Sequence, residues 1–129
     1  MRRPSPIYPA TVIRHVDADT LNVAVTLYPL PPTLESVWDL RILGINCREH
    51  DEPGGPEAAA YLATLAPVGS MVAVLLVRTD KYGGRNLATI TLPSGEDLAS
   101  RMIADGYAAP WNGRGRKPIP PWPRMAPGL

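Results

Sequence analysis

The chain has 129 residues, enough for one domain with a hydrophobic core and too few for two. Hydrophobic residues make up 45% and charged residues 19%, which excludes a disordered or fibrous protein, and no apolar run approaches the ~20 residues of a membrane helix. All 12 acidic residues precede residue 113, whereas four of the 13 basic residues follow it, so a net charge of +1 conceals an electropositive tail.

The N-terminal residues contain two arginines with no apolar segment behind them, and Cys47 is the only cysteine. The sequence as written therefore predicts neither a secretory leader nor an internal disulfide. We expect a monomer of the cytoplasm that does not engage a membrane, unless a leader has been removed.

The first half of the chain predicts three strands. Residues 10–16 are rich in β-branched side chains, and residues 20–27 alternate between apolar and small or polar side chains, with a turn at 17–19 between them. Three prolines predict a loop over 28–35, because proline cannot donate to a strand ladder. The third predicted strand covers residues 37–45.

A helix is predicted to begin at Pro56, since proline is favoured at the first helical position and three alanines follow soon after. Glycine permits positive φ, so it marks the later turns and helix ends. The predicted elements that follow are a strand at 71–77, a turn at 80–84, a strand at 87–92 and a helix at 97–105 that ends at Gly106.

Five short strands with a helix after the third are typical of an OB-fold barrel, a mainly β (α+β) class with two to three short helices here. We divide the chain into an N-terminal arm (1–9), a barrel domain (10–112) and a basic, proline-rich tail (113–129) that should be extended. OB barrels often bind nucleic acid, but a fold does not by itself assign catalysis.

Three segments, in order, carry a family resemblance: ATVIRHVDADT at 10–20, LRILGINCRE at 40–49 and DKYGGRNLA at 80–88. They resemble the Asp-Gly-Asp-Thr turn, the Arg-x-x-x-[Val/Ile]-Asp-x-Pro-Glu strand and the Asp-Lys-Tyr-Gly-Arg-x-Leu-Ala turn of the staphylococcal nuclease (thermonuclease) family. The likeness covers about residues 8–112, and the tail is similar to those of compact phage-type relatives. It implies a calcium-dependent endonuclease that hydrolyses DNA or RNA to 3′-phosphate products with little sequence preference.

The resemblance implies catalytic roles for Arg41, Glu49 and Arg85. Two guanidinium groups can donate paired hydrogen bonds to phosphate oxygens as negative charge develops, and a carboxylate can orient or deprotonate the attacking water. Arg41 also interrupts an apolar strand, where charge is costly unless it is paired or functional. The alternative, non-catalytic roles are a surface ion pair for each arginine and a solvated loop carboxylate for Glu49.

The metal ligands that the resemblance implies are Asp19, Asn46 and the backbone carbonyl of Cys47, because Ca²⁺ prefers oxygen donors. Asp17 and Thr20 are expected to brace these ligands. Asn46 stands where the family has aspartate, and the lost carboxylate should weaken Ca²⁺ binding or shift the preference to Mg²⁺ or Mn²⁺.

Further substrate contacts are implied for Lys81 and Tyr82 with phosphate and for Trp111 with a base. Ala18 replaces the family's turn glycine, which predicts a negative φ at this position, and an extra glycine precedes Arg85. His15 and His50 lack metal-ligand spacing, so structural or solvated roles are expected for them. Nonspecific phosphate contacts are possible for the tail residues Arg114, Arg116, Lys117 and Arg124.

Two alternatives remain open at this stage. A catalytically inactive OB module that binds nucleic acid or protein would explain Asn46, although such a module has no need of Arg41, Glu49 and Arg85 together. A structural or assembly protein would use the proline-rich tail as a docking segment, but it would not explain the three matching segments.

Overall fold

The computed structural model of the chain describes residues 7–26, 35–79, 86–112 and 115–121. Within these ranges no helix is long and apolar enough to cross a membrane. The predicted loop at 28–35, apart from Glu35, and the predicted turn at 80–84 lie outside them. The elements are β1 (Ile7–Asp17), β2 (Thr20–Thr26), β3 (Glu35–Ile42), β4 (Ile45–Cys47), α1 (Gly55–Leu65), β5 (Met71–Thr79), β6 (Asn86–Thr91), α2 (Leu98–Ala104) and β7 (Ala108–Pro110).

Five strands close into a barrel in the order β1-β2-β3-β6-β5. The pairs are antiparallel except β3 with β6, whose parallel pairing closes the ring. Alternate side chains point inward, so Leu21, Val23 and Val25 of β2 are all fully buried. These features confirm the predicted mainly β barrel of the OB class with two helices. Strand β1 begins at Ile7, so the barrel includes three residues that the sequence assigned to the arm.

The single strand predicted at 37–45 is wrong, because the chain forms two strands there. Strand β3 ends at Ile42, and a turn at Leu43–Gly44 follows in which Gly44 has φ +88°, a conformation that other residues rarely adopt. Strand β4 then pairs with β7 in a separate two-stranded sheet, which the sequence analysis missed. This change of direction carries Asn46 and Cys47 away from the ladder of β3.

Both helices lie where the sequence predicted them and close the core. Helix α1 buries Ala58 and Leu62, and the ring nitrogen Nε2 of His15 donates to the Ala66 carbonyl at 2.6 Å, which supports a structural role for this histidine. Helix α2 begins with an N-cap at Asp97, whose carboxylate accepts from the Ser100 amide at 3.0 Å. Helix α2 ends at Ala104, and Gly106, the glycine predicted to end it, has φ +85°.

The start of α1 packs directly on the loop that follows β4. A methyl group at Gly55 would overlap the backbone carbonyl of Glu49, so only glycine fits without a shift of that loop. We predict that Gly55→Ala lowers the free energy of unfolding by about 1–3 kcal/mol through overpacking, measured by urea denaturation. Alanine normally stabilises a helix relative to glycine, so a decrease in the free energy of unfolding would itself indicate the steric overlap.

Ala60→Gly is the matched control, because Ala60 is an exposed residue of the same helix. It should cost about 1 kcal/mol through helix propensity alone. A Gly55→Ala variant as stable as the wild type, or more stable, would contradict the close packing.

Candidate functional site at one end of the barrel

An ion pair between Asp19 and Arg41 joins the β1–β2 turn to β3. An Arg41 guanidinium nitrogen lies 3.3 Å from Asp19 Oδ2, and each side chain is only 13% exposed. The backbone supports the pair, because the Ile42 amide donates to the Asp19 carbonyl at 2.9 Å and Thr20 lies opposite Arg41 in the ladder. The Thr20 hydroxyl donates to the other carboxylate oxygen at 3.2 Å. Low exposure strengthens the attraction between the two charges and makes removal of only one of them costly.

The two preceding residues hold the turn in shape. Asp17 Oδ1 accepts from the Ala18 amide at 2.9 Å, as expected of a residue that braces the turn. Ala18 is 1% exposed and packs into the core, and no described residue other than glycine has a positive φ. The expected negative φ at Ala18 is therefore confirmed, and its methyl group anchors the turn.

Cys47 connects β4 to this turn. Its thiol donates to the Ala18 carbonyl at 3.6 Å, and the residue is 4% exposed. Burial raises the pKa of the Cys47 thiol, the negative charges of Asp19 and Asp17 raise it further, and Arg41 opposes them. The thiol therefore stays protonated and is a poor nucleophile.

Asn46 is a buried polar residue that binds the tail. Its Nδ2 donates to the Pro118 carbonyl at 3.0 Å, a contact between residues 72 positions apart. Arg48, two residues further along, also binds the tail, since its guanidinium donates to the Pro120 carbonyl at 3.1 Å. The tail segment 115–121 contains no helix or strand, as the sequence predicted, but it packs on the domain.

Trp111 lies against two cations. The Arg41 guanidinium carbon is 5.5 Å from the centre of the indole ring, and the Lys117 ammonium nitrogen is 5.7 Å from it. Both distances fall within the range of cation–π attraction. The indole is positioned by its backbone, because the Trp111 amide donates to the Gly44 carbonyl at 2.8 Å and so extends the β4–β7 pairing.

A pocket of about 360 Å³ opens between the residues after β4 and the tail. Glu49 lies on its wall and is exposed. The Glu49 backbone is held in place, since its amide donates to Glu52 Oε1 at 2.7 Å and its carbonyl accepts from the Glu52 amide at 2.9 Å. The lining residues are Asn46, Cys47, Arg48, Glu49, Asp51, Glu52, Lys117, Pro118, Ile119 and Pro120.

The sequence-predicted site residues with described positions lie in two adjoining groups. Asp19, Thr20 and Arg41 form one with Asp17 and Trp111 beside it, and the second is the pocket wall that contains Asn46, Cys47 and Glu49. The thiol contact between β4 and the β1–β2 turn joins them. Arg85, Lys81 and Tyr82 lie outside the described residues.

Sequence reasoning missed the role of the tail. The sequence indicates only a nonspecific phosphate contact for Lys117, and no pattern in it points to the carbonyls of Pro118 and Pro120 as acceptors. One signal was present, because a polar side chain between Ile45 and Cys47 in a strand needs a hydrogen-bond partner when buried. No local pattern identifies a partner so far along the chain.

The predicted oxygen ligands are of the chemical types that a hard divalent cation prefers. The Asp19 carboxylate, the Asn46 amide oxygen and the Cys47 carbonyl are ligand types that Ca²⁺ accepts. The described part of the chain contains no group of three His, Cys, Asp or Glu side chains arranged to hold a metal. With one carboxylate in the set, which already accepts from Arg41 and Thr20, the donors are suited to weak binding.

Comparison of the chain with protein-family models and with curated proteins found no match.

The raised pKa of Cys47 predicts a specific loss of stability in alkali. The folded state keeps the thiol protonated, whereas the unfolded state releases the proton above the ordinary pKa of 9.0. The free energy of unfolding is therefore unaffected by this group below pH 9.0 and falls as the pH rises above it. The decline approaches about 1.4 kcal/mol per pH unit for this one proton. Urea denaturation from pH 7 to 10.5 measures the effect.

Cys47→Ala is the control, since it removes the thiol and leaves every other titrating group. The variant will have a lower stability, but its dependence on pH between 9 and 10.5 should be shallower than that of the wild type. Parallel curves for the two proteins would show that the thiol ionises as freely in the folded state as in the unfolded state.

Proposed function

We propose that this protein is a calcium-dependent nuclease that hydrolyses phosphodiester bonds of DNA or RNA. The observation that supports this most strongly is the cationic group of Arg41 and Lys117 around Trp111, next to the oxygen-lined pocket that holds Glu49. The resemblance of three sequence segments to staphylococcal nucleases points to the same chemistry.

Arg41 is proposed to bind the scissile phosphate. A guanidinium has five N–H donors, and the contact with Asp19 at 3.3 Å leaves others for phosphate oxygens. The contact with Asp19 restrains the guanidinium, which reduces the conformational freedom that is lost when substrate binds. Arg85 is proposed as the second arginine, on the resemblance alone.

Glu49 is proposed to orient the attacking water and accept its proton. Its carboxylate is exposed at the pocket wall, while the hydrogen bonds to Glu52 hold its backbone. As water oxygen bonds to phosphorus, the bond from phosphorus to the 5′ oxygen breaks, and the leaving 5′ oxygen takes up a proton from solvent. The products are a 3′-phosphate and a 5′-hydroxyl.

Asp19, the Asn46 amide oxygen and the Cys47 carbonyl are the proposed Ca²⁺ ligands, braced by Asp17 and Thr20. The bound ion would neutralise negative charge on the phosphate, and Mg²⁺ or Mn²⁺ are the alternatives to test.

The proposed substrate is single-stranded or locally opened nucleic acid. Trp111 is proposed, on the resemblance, to stack with a base, an interaction that tolerates any sequence. Lys81 and Tyr82 are proposed as further phosphate contacts on the resemblance alone.

A second candidate function is a binding module without catalysis. The observation that favours it is the hydrogen bond from Asn46 Nδ2 to Pro118, since this position serves as a tail contact and lacks the charge of a strong metal ligand. Incubation with plasmid and single-stranded DNA, in Ca²⁺, Mg²⁺, Mn²⁺ or chelator, separates the two. Metal-dependent cleavage supports the nuclease, and binding without cleavage in every metal supports the module.

We predict that Glu49→Gln lowers the cleavage rate by about 10²–10⁴-fold, because the amide cannot accept the proton of the attacking water. Initial rates on labelled single-stranded DNA measure this. Asp51→Asn is the matched control, since it removes the same charge from the same pocket and should change the rate less than threefold. Equal rates for wild type and Glu49→Gln would reject the proposed role.

We also predict that Arg41→Lys reduces cleavage by about 10²-fold or more. Lysine keeps the charge but loses the planar fork that donates both to Asp19 and to phosphate. Arg14→Lys, at an exposed position of β1, should leave the rate unchanged. If Arg41→Lys retained full activity while remaining folded by circular dichroism, the phosphate-binding role would be wrong.

A further inference from the structure

The tail segment 115–121, named here the strap, contributes four residues to the pocket lining and is attached to the domain at three points. Pro118 and Pro120 accept hydrogen bonds from Asn46 and Arg48, and Lys117 lies over the Trp111 ring. All three contacts reach the strand pair β4–β7 or the residues directly after it. The strap is therefore part of the pocket wall.

The composition of the strap favours this docked state. Three of its seven residues are prolines, which restrict φ and so reduce the entropy that is lost on docking. Proline carbonyls also remain available as acceptors, and two of them are used here. Gly115, with φ +73°, permits a bend at the start of the strap.

Asn46 is suited to hold the strap because its amide is a donor. The residue is 9% exposed, so its side chain requires a partner, which the Pro118 carbonyl supplies at 3.0 Å. An aspartate here would set a carboxylate against that carbonyl, and two acceptors repel each other. The contact gives a physical reason for an amide at this position.

Lys117 gains its position through the strap. Its ammonium group and the Arg41 guanidinium lie near the same indole, and among the described residues no carboxylate lies within ion-pair distance of Lys117. Arg41 is already paired with Asp19 at 3.3 Å, so the Lys117 ammonium is the charge that a ligand can neutralise. A positive charge held beside the indole attracts an anionic group.

We propose that the strap completes the binding site for the phosphate backbone of single-stranded nucleic acid, with Lys117 contacting a phosphate and Asn46 acting as the residue that positions the strap. The identity of the ligand rests on the proposed function, but the inference does not require cleavage. Binding measured in chelator therefore tests it separately.

The first experiment measures the affinity of a fluorescein-labelled oligothymidylate by fluorescence anisotropy in EDTA over a series of salt concentrations. Lys117→Ala should weaken binding by about three- to tenfold and reduce the slope of log K against log salt by about 0.7, the value for one lost phosphate contact to a single strand. Arg14→Ala removes the same charge from an exposed residue of β1 and should change affinity less than twofold. Equal effects of the two variants, or tighter binding by Lys117→Ala, would overturn the proposal.

The second experiment tests the anchor by tryptic cleavage after Arg116, followed by mass spectrometry. Asn46→Asp should accelerate this cleavage by about fivefold or more and weaken oligothymidylate binding as much as Lys117→Ala does. The double variant should bind no more weakly than either single variant, because both remove the same contact. Arg48→Ala, which removes the contact to Pro120, should accelerate cleavage in the same direction if Asn46→Asp fails to fold. Unchanged cleavage in the folded variants would overturn the anchoring role.

The outcomes separate this inference from the proposed function. If the protein binds oligothymidylate through Lys117 but cleaves in no metal, the proposed role of the strap stands and the proposed nuclease function is wrong. If the protein cleaves with metal and Lys117→Ala changes neither cleavage nor affinity, the proposed nuclease function stands and the proposed role of the strap is wrong. A wild-type protein that neither binds nor cleaves would overturn both.

Discussion

The largely buried ion pair between Asp19 and Arg41 is the contact on which the rest of the candidate site depends. It joins the β1–β2 turn to β3 and leaves part of the guanidinium directed toward Trp111. The β1–β2 turn also supplies the Ala18 carbonyl, which accepts a hydrogen bond from the Cys47 thiol. Loss of the pair would leave one partner charged with low solvent exposure, which is far more costly than the same loss at a surface.

A second constraint is the break in the chain at Gly44. Because the backbone adopts positive φ there, β4 leaves the barrel ladder and pairs with β7. This pairing positions Trp111 at one end and Asn46 in the middle, where the amide meets the tail. The pocket thus forms where the barrel, the small sheet and the strap meet, and no single element could provide it.

The sequence predicted the barrel well because local patterns report it. Alternation over β2, the proline at the start of α1 and Gly106 after α2 each have a direct structural cause. The split at Gly44 was missed because a short apolar run with one glycine resembles an uninterrupted strand. The bond between Asn46 and Pro118 could not be predicted, since it joins distant residues with no shared period. The roles of Arg85, Lys81 and Tyr82 remain predictions from the family resemblance, outside the described residues.

The central claim is that the site formed by Asp19, Arg41, the pocket that holds Glu49 and the strap hydrolyses a phosphodiester. The most direct measurement is mass spectrometry of a defined single-stranded oligonucleotide after incubation with the protein and Ca²⁺, Mg²⁺ or Mn²⁺. We expect fragments that carry a 3′-phosphate paired with fragments that carry a 5′-hydroxyl, and none in chelator. An oligonucleotide that remains intact in every metal would contradict the account.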